Sequence, residues 1–192
     1  MIYAKKIVFE DDMAKGRQQQ QQSQLQHEVG QTLLRYALKK EYDIELDKCT
    51  ILKNKQGKPY LEDYPDVHYN ISHCATMVVC TLGETPVGID VEKKRPLKES
   101  LWRKVLTENE LDKLMACAEE ERNIEFLKYW TLKEAYGKAL GVGLLYDYSK
   151  TDINSIEGYR FHQMMIGEDI IVSVCREQSE AYEEEIIFVE NI

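Results

Sequence analysis

Two acidic residues occur close together in residues 87–92, where branched aliphatic residues alternate with other types. This alternation predicts a β-strand, in which successive side chains point to opposite faces of a sheet. Asp90 and Glu92 then share one face with Gly88, and the aliphatic side chains face the core. Two carboxylates at this spacing repel each other unless a cation lies between them, and oxygen ligands without His or Cys suit magnesium. The alternative is an ordinary solvated strand face.

A third carboxylate, Glu134, lies in a predicted helix that spans about residues 123–140 and ends at Gly141. At about 3.6 residues per turn, its side chain projects from the same side as three large apolar residues. These are Phe126, Leu127 and Trp130. Because a carboxylate on an apolar face is costly unless it is paired or binds a metal, Glu134 is a candidate catalytic residue and metal ligand. Lys138, one turn further along, is the second candidate on this helix.

The spacing of Glu134 and Lys138 also fits an ion pair that supports the helix by roughly a few tenths of a kcal/mol. Such a pair is expected on the outer face of the helix. We assign that face to Lys128, Ala135 and Ala139. The position of Glu134 beside an apolar arc therefore favours a functional role over a supporting one.

Two shorter motifs precede these segments. Lys58 lies in a Gly-Lys-Pro turn, where it is either a phosphate contact or a surface lysine. Ser72 and His73 end the segment Asn-Ile-Ser-His at the exit of a predicted strand, where ligand contacts are often placed. A histidine at a strand end is also common as a structural residue, so neither motif is informative alone.

The pattern of elements predicts an α+β fold. Strands are expected over residues 1–9, 67–71, 77–82, 87–92, 159–166, 169–175 and 185–189, and helices over 24–40, 107–118 and 123–140. The connections between successive strands are short, which favours antiparallel pairing. Helix and antiparallel sheet appear twice, so we expect two similar halves, residues 1–96 and 97–192, with the site at their interface. The first half would supply Asp90 and Glu92, and the second Glu134 and Lys138.

Composition excludes several functional classes. A net charge of -9, from 34 acidic and 25 basic residues, argues against nucleic-acid binding. The five cysteines lack the spacing of a zinc or redox motif, which indicates reduced thiols and a cytoplasmic protein. The N-terminus does not look like a signal peptide, and no segment is apolar enough to predict membrane insertion.

The motifs together resemble one family. Gly-Ile-Asp-Val-Glu at residues 88–92, followed by Trp-x-x-Lys-Glu-Ala-x-x-Lys at 130–138, is similar to the paired signature of Sfp-type 4'-phosphopantetheinyl transferases. Gly-Lys-Pro at 57–59 and Asn-Ile-Ser-His at 70–73 match two further motifs of that family in the same order. The resemblance extends over about residues 57–143.

The resemblance implies a pseudo-twofold monomer whose halves meet at a cleft for coenzyme A and magnesium, or manganese. The implied reaction moves 4'-phosphopantetheine from coenzyme A to a serine of an apo acyl, peptidyl or polyketide carrier protein and releases 3',5'-ADP. The implied metal ligands are Asp90, Glu92 and Glu134. The implied contacts to coenzyme A are Lys58, Ser72, His73, Asp90 and Lys138, of which Lys138 reaches the pyrophosphate, and Glu134 and Lys138 are the implied catalytic residues.

The N-terminal region departs from this family, whose members often carry basic residues there to hold the 3'-phosphate of coenzyme A. This chain instead has a glutamine tract at residues 18–22, followed by Gln26 and His27, for which we predict no chemistry. Lys15, Arg17 and Arg35 are the basic residues that could take over the contact.

A basic cluster follows the acidic strand and is a candidate docking surface for an acidic carrier protein. It comprises Lys93, Lys94, Arg95, Lys98, Arg103 and Lys104. Four apolar residues are interleaved with it, namely Leu97, Leu101, Trp102 and Val105. The alternative is an amphipathic helix whose apolar side lies in the core.

Two other functions fit parts of the sequence. Pro65-Asp66 followed by Glu92-Lys93-Lys94 formally fits the pattern of a magnesium-dependent nuclease, although the net charge disfavours it. A non-catalytic module that binds coenzyme A is the other alternative.

Overall fold

The chain folds into four helices and mostly antiparallel strands across its described residues, and the predicted α+β class is confirmed. The computed structural model describes residues 1–8, 15–143, 146–179 and 185–190. Within these ranges the helices are α1 Lys15–Tyr42, α2 Glu99–Val105, α3 Glu108–Met115 and α4 Arg122–Leu140. The strands are β1 Ile2–Lys6, β2 Ile51–Lys53, β3 Pro59–Leu61, β4 His68–Cys74, β5 Met77–Gly83, β6 Val87–Lys93, β7 Tyr159–Ile166, β8 Ile170–Glu177 and β9 Ile186–Phe188.

The described strands form two main sheets and a hairpin. The first sheet has the order β4-β5-β1-β9, and the second has the order β6-β8-β7. Pairing is antiparallel, as predicted, except that β9 runs parallel to β1. Strands β2 and β3 pair only with each other.

Each of the two sheets contains strands from both sides of residue 96, the predicted boundary between the halves. Strand β6 precedes this residue but pairs with β8, whereas β9 lies at the far end of the chain and pairs with β1. Pairing of β9 with β1 was not evident from the sequence, because strand partners distant in sequence leave no local signal.

The helices and sheets form four layers in the order α1, first sheet, second sheet, α4, because alternate side chains of each strand face opposite sides. On β1, Tyr3 faces α1 and packs against Leu34, whereas Ile2 faces the other sheet. On β6, Val87 and Ile89 face the first sheet, so a shared apolar core lies between the two sheets. Helix α4 covers the opposite face of β6 and β8. The alternation predicted for residues 87–92 is therefore confirmed.

Small residues allow α4 to approach β6 closely. A Cβ atom added to Gly88 would lie 2.0 Å from the Ala135 backbone oxygen and 2.4 Å from the Ala139 backbone nitrogen. Both alanines are buried, with 0% and 2% of their surfaces exposed. The prediction that they lie on the outer face of the helix is wrong, because a helix that touches a sheet this closely needs small side chains at the contact.

Helix α1 is longer than predicted. It begins at Lys15, so the glutamine tract belongs to it. Glutamine is a good helix former, which the apolar periodicity used to predict the helix does not register. Among the described helices, none has both the length and the hydropathy that a membrane crossing requires.

Candidate active site

Two side chains of β4 link the edges of the two sheets. Asn70 accepts a hydrogen bond from the backbone N–H of Ile89 at 2.8 Å. Ser72 donates its hydroxyl to Oδ1 of Asp90 at 2.9 Å. The Asn-Ile-Ser segment therefore positions β6, and with it the Asp90 carboxylate, by side-chain contacts.

Asp90 is a buried carboxylate with one oxygen paired and one bare. Its side chain is 8% exposed, and Oδ1 accepts from the Lys138 ammonium at 2.6 Å. Oδ2 is buried and has no hydrogen-bond partner among the described residues. A buried anionic oxygen is costly when it is left unpaired, so this atom fits a cation ligand.

Lys138 connects α4 to β6. Besides Asp90, its ammonium donates to Oγ of Ser72 at 3.0 Å and to the backbone oxygen of Ile89 at 3.2 Å. The ammonium points at the neighbouring strand, so a supporting pair on the helix surface does not describe this lysine. Its contacts bring together Ser72, Asp90 and Lys138, three of the residues that the resemblance implies for coenzyme A.

Glu134 is half-buried on the side of α4 that faces this cluster. Burial raises the pKa of its carboxyl, and repulsion from Asp90 and from Glu92 raises it further. Attraction to Lys138 and a hydrogen bond from Tyr148 oppose this rise. The three carboxylates are thus close enough to influence one another.

Glu92 is held by a basic neighbour. The Arg95 guanidinium makes two hydrogen bonds to the two Glu92 carboxylate oxygens. Across the residues that the structure describes, no group of three or more His, Cys, Asp or Glu side chains is placed to hold a metal ion. The predicted set of three ligands is therefore not assembled in this arrangement, in which Lys138 and Arg95 neutralise the two strand carboxylates.

Lys58 lies at the C-terminal end of α4. Its ammonium donates to the backbone oxygens of Val87, Lys138 and Ala139 at 3.0, 2.7 and 3.1 Å. An ammonium has three N–H groups, so these carbonyls occupy all of its donors. The contacts show a link between the β2–β3 hairpin and α4, and a phosphate contact from Lys58 stays a prediction.

A cavity of about 440 Å³ opens beside Glu92 and His73. Burial and the Lys138 charge lower the pKa of His73, and Asp90 opposes this shift. The opposite wall comes from α1 and consists of Gln19, Gln22, Ser23 and Gln26. Sequence reasoning missed this role of the glutamine tract, because polar residues without charge carry no distinctive signal.

Arg35, one of the basic residues considered for the 3'-phosphate contact, is not among the residues that line this cavity. Arg35 pairs with Asp47 at 2.6 Å on an exposed part of the surface. The side chains of Lys15 and Arg17 lie outside the described residues. The basic residues on the cavity wall include Lys93, which ends β6, and Lys94 and Arg95, which follow it.

The apolar residues of the candidate docking surface are core residues. Trp102 and Val105 are 5% and 3% exposed and pack with Phe126. Leu97 and Leu101 pack against the same cluster. The alternative of an amphipathic helix with its apolar side inward is therefore confirmed for α2, and its outer surface carries the charges of Arg103 and Lys104.

The nuclease pattern is not assembled. Asp66 precedes β4, whereas Glu92 lies level with the opposite end of that strand, since Ser72 contacts Asp90. A strand of seven residues spans roughly 23 Å, which separates the two carboxylates by far more than a shared metal allows.

Comparison with known proteins agrees with these motifs. Residues 86–188 match the family described as the 4'-phosphopantetheinyl transferase superfamily, and residues 3–84 match the family described as 4'-phosphopantetheinyl transferase, N-terminal. The chain is 31% identical over 116 residues to 4'-phosphopantetheinyl transferase Sfp of Bacillus subtilis (strain 168). This alignment covers 60% of this chain and 52% of that protein.

Two further relatives show the same pattern. The chain is 34% identical over 116 residues to 4'-phosphopantetheinyl transferase gsp of Aneurinibacillus migulanus, covering 60% of this chain and 48% of the relative. It is 32% identical over 122 residues to 4'-phosphopantetheinyl transferase HetI of Nostoc sp., and that alignment covers 60% of this chain and 52% of the relative. The chain spans about half the length of the curated relatives it matches. Because one family match alone covers more than half of its residues, this chain belongs to the 4'-phosphopantetheinyl transferase superfamily.

Proposed function

We propose that this protein transfers the 4'-phosphopantetheine group of coenzyme A to a serine of an apo carrier protein and releases 3',5'-ADP. The observation that carries the proposal is the bare, buried Oδ2 of Asp90 in a cluster with Glu134 and Lys138. The relatives are named as 4'-phosphopantetheinyl transferases, which supports the same reaction.

The bare oxygen of Asp90 and the nearby carboxylates fit a hard divalent cation such as magnesium or manganese. Asp90, Glu134 and Glu92 would hold it, and Glu92 would then exchange its contact with Arg95 for the cation. When bound, the cation supplies positive charge that offsets the charge of the pyrophosphate.

In the transfer, the serine Oγ forms a bond to the β-phosphorus of coenzyme A, and the bond from that phosphorus to the bridging oxygen of 3',5'-ADP breaks. The serine proton must leave as this bond forms. Glu134 is the proposed acceptor, because burial and the Asp90 charge raise the pKa of its carboxyl and make it a stronger base.

Lys138 would contact the pyrophosphate by exchanging one of its present acceptors, Asp90, Ser72 or the Ile89 carbonyl, for a phosphate oxygen. Its charge would then stabilise the departing group. Ser72 contacts the Lys138 ammonium, and His73 lines the neighbouring cavity, which has three basic residues and room for part of the coenzyme.

The proposal extends to the architecture. One helix covers each sheet, α1 the first and α4 the second, which supports a pseudo-twofold pair of halves with the site where β4 meets β6. We further propose a monomer in the cytoplasm, in keeping with the free thiols of all five cysteines.

The proposal is tested by incubating the protein with coenzyme A, magnesium and a panel of apo acyl, peptidyl and polyketide carriers. Intact-mass spectrometry of each carrier is the measurement. We expect at least one carrier to gain the mass of one phosphopantetheine group, and chelation of the metal to prevent the gain. Magnesium-dependent binding of coenzyme A with every carrier unmodified would contradict the proposal and favour a binding module.

A further inference from the structure

Residues 146–153, the segment after α4, pack against that helix and place the Tyr148 hydroxyl on it. A Cβ atom added to Gly137 would lie 2.6 Å from the Tyr148 hydroxyl oxygen, so the hydroxyl rests on the helix where a side chain is missing. Gly137 lies one residue before Lys138 and about one turn after Glu134. Positions three apart on a helix are neighbours on one face, so this location is beside the Glu134 side chain.

An interaction with the Tyr148 hydroxyl lowers the pKa of the Glu134 carboxyl, so the two groups lie close together. The ring of Tyr148 packs with the cluster that contains Trp102 and Phe126, and with the ring of Tyr146. Tyrosine is protonated at neutral pH, so its hydroxyl can donate a hydrogen bond to a carboxylate. Packing thus fixes the ring and leaves its hydroxyl beside the proposed base.

A buried ion pair fixes the backbone of this segment. The Lys133 ammonium lies 2.5 Å from a Glu110 carboxylate oxygen, and their side chains are 1% and 0% exposed. The same ammonium donates to the backbone oxygens of Tyr148 and Thr151 at 2.8 and 2.7 Å. Glu110 accepts from the backbone N–H of Ile153 at 2.9 Å.

Lys133 directly precedes Glu134 on α4, so one short stretch of helix carries both the carboxylate and the anchor of the segment that contacts it. A buried charge pair with this many backbone contacts specifies one arrangement of the chain around it. The segment cannot shift along α4 without leaving buried charges and carbonyls unpaired.

We propose that Tyr148 is a positioning residue for Glu134, anchored beside that carboxylate by the buried pair of Lys133 and Glu110. The role rests on the proposed transfer reaction, in which Glu134 accepts the proton of the serine. Tyr148 restricts the rotation of the Glu134 side chain, so the carboxylate is held in one orientation before substrate arrives.

The first test measures coupling between the two residues and needs no activity. Unfolding in urea is compared for the wild-type protein, Tyr148→Phe, Glu134→Ala and the double variant. We expect Tyr148→Phe to raise the unfolding equilibrium constant about tenfold more with Glu134 present than with alanine there. Coupling of less than twofold overturns the proposal whatever the kinetics show.

The second test uses transfer to a carrier protein. We expect Tyr148→Phe to lower kcat about tenfold to a hundredfold and to change the KM for coenzyme A less than twofold. A raised KM with an unchanged kcat overturns the proposal, because it indicates a substrate contact instead of positioning. Tyr146→Phe is the matched control, since its hydroxyl bonds to Thr151 in the same segment, and we expect its kcat within twofold of wild type.

The two tests separate this inference from the function on which it rests. A wild-type protein that modifies no carrier contradicts the proposed function, whereas the coupling in urea still decides the placement of Tyr148. A protein that transfers phosphopantetheine at the full rate but shows no coupling between Tyr148 and Glu134 supports the proposed function and contradicts the role of Tyr148.

Discussion

The Lys138 ammonium lies 2.6 Å from Oδ1 of Asp90 and joins the C-terminal part of α4 to the edge strand of the second sheet. The two side chains come from segments 48 residues apart. The contact holds a buried carboxylate in place while its second oxygen remains bare. It therefore links the stability of the fold to the geometry of the candidate site.

This contact predicts the effect of Lys138→Met. The substitution leaves the Asp90 carboxylate buried without its cation, and we expect a loss of about 1–3 kcal/mol in the free energy of unfolding. Adding Asp90→Asn is expected to restore part of the loss, because the uncompensated charge is then removed. Urea unfolding followed by circular dichroism is the measurement.

Lys128→Met is the matched control for that prediction. Lys128 lies on the same helix and pairs with Glu125 on its partly exposed surface, so we expect a loss below about 1 kcal/mol. Equal losses for the two lysine variants would contradict the assigned role of Lys138.

The close approach of α4 to β6 predicts that Gly88→Ala is severely destabilising. The added Cβ meets the Ala135 backbone oxygen at 2.0 Å, and a backbone cannot turn aside as a side chain can. We expect a loss of about 3 kcal/mol or more, measured by thermal and urea unfolding.

Gly30→Ala provides the comparison, because its added Cβ meets a methyl carbon of Ile71 at 3.1 Å, and this side chain can move. The helix propensity of alanine offsets the crowding by up to about 1 kcal/mol, so we expect a net change within about 1 kcal/mol of zero. A Gly88→Ala protein as stable as this variant would rule out the described packing of α4.

The lowered pKa of His73 predicts the pH range in which its imidazole takes up a proton. Burial is the main cause and the Lys138 charge the second, so we expect a midpoint below 6.5. Folding then becomes less stable as the pH falls from 6.5 toward this midpoint, because the unfolded chain binds the proton more tightly. Lys138→Met is expected to raise the midpoint and Asp90→Asn to lower it.

NMR titration of the imidazole C–H signals, assigned with His73→Gln, measures these midpoints. A wild-type midpoint at or above 6.5, or shifts of the opposite sign in the two variants, would show that the described surroundings of His73 are wrong.

The exposed charges beside α2 predict an effect on carrier binding. We expect Lys98→Glu with Arg103→Glu to raise the KM for an acidic carrier about tenfold at low salt and to leave the KM for coenzyme A unchanged. Lys53→Glu with Lys55→Glu, in the exposed β2–β3 hairpin, is the matched control for net charge. A rise in both KM values would indicate misfolding, and an unchanged carrier KM would exclude this surface as the docking site.

Local patterns in the sequence were sufficient to predict much of the fold. The alternation along β6 separates Asp90 from the aliphatic core face, and the helical spacing places Glu134 and Lys138 toward one side of α4. These predictions succeed because side-chain direction follows from the period of a strand or helix.

Contacts between distant segments could not be predicted in this way. The sequence gives no local sign that Tyr148 reaches Glu134, or that Lys133 is buried with Glu110. The burial of Ala135 was missed for a related reason, since a small residue suits both an exposed helix face and a close contact. Each of these features depends on which surface packs against the residue.

The central claim is tested most directly by the rate at which Glu134→Gln transfers phosphopantetheine to an apo carrier, followed by intact mass over time. The substitution keeps the shape of the side chain and removes the proposed base, and we expect the rate to fall about a hundredfold or more while the unfolding midpoint stays close to that of wild type. Glu125→Gln, on the same helix and paired with Lys128, is expected to retain the wild-type rate. A Glu134→Gln protein that modifies the carrier within twofold of the wild-type rate would contradict the account.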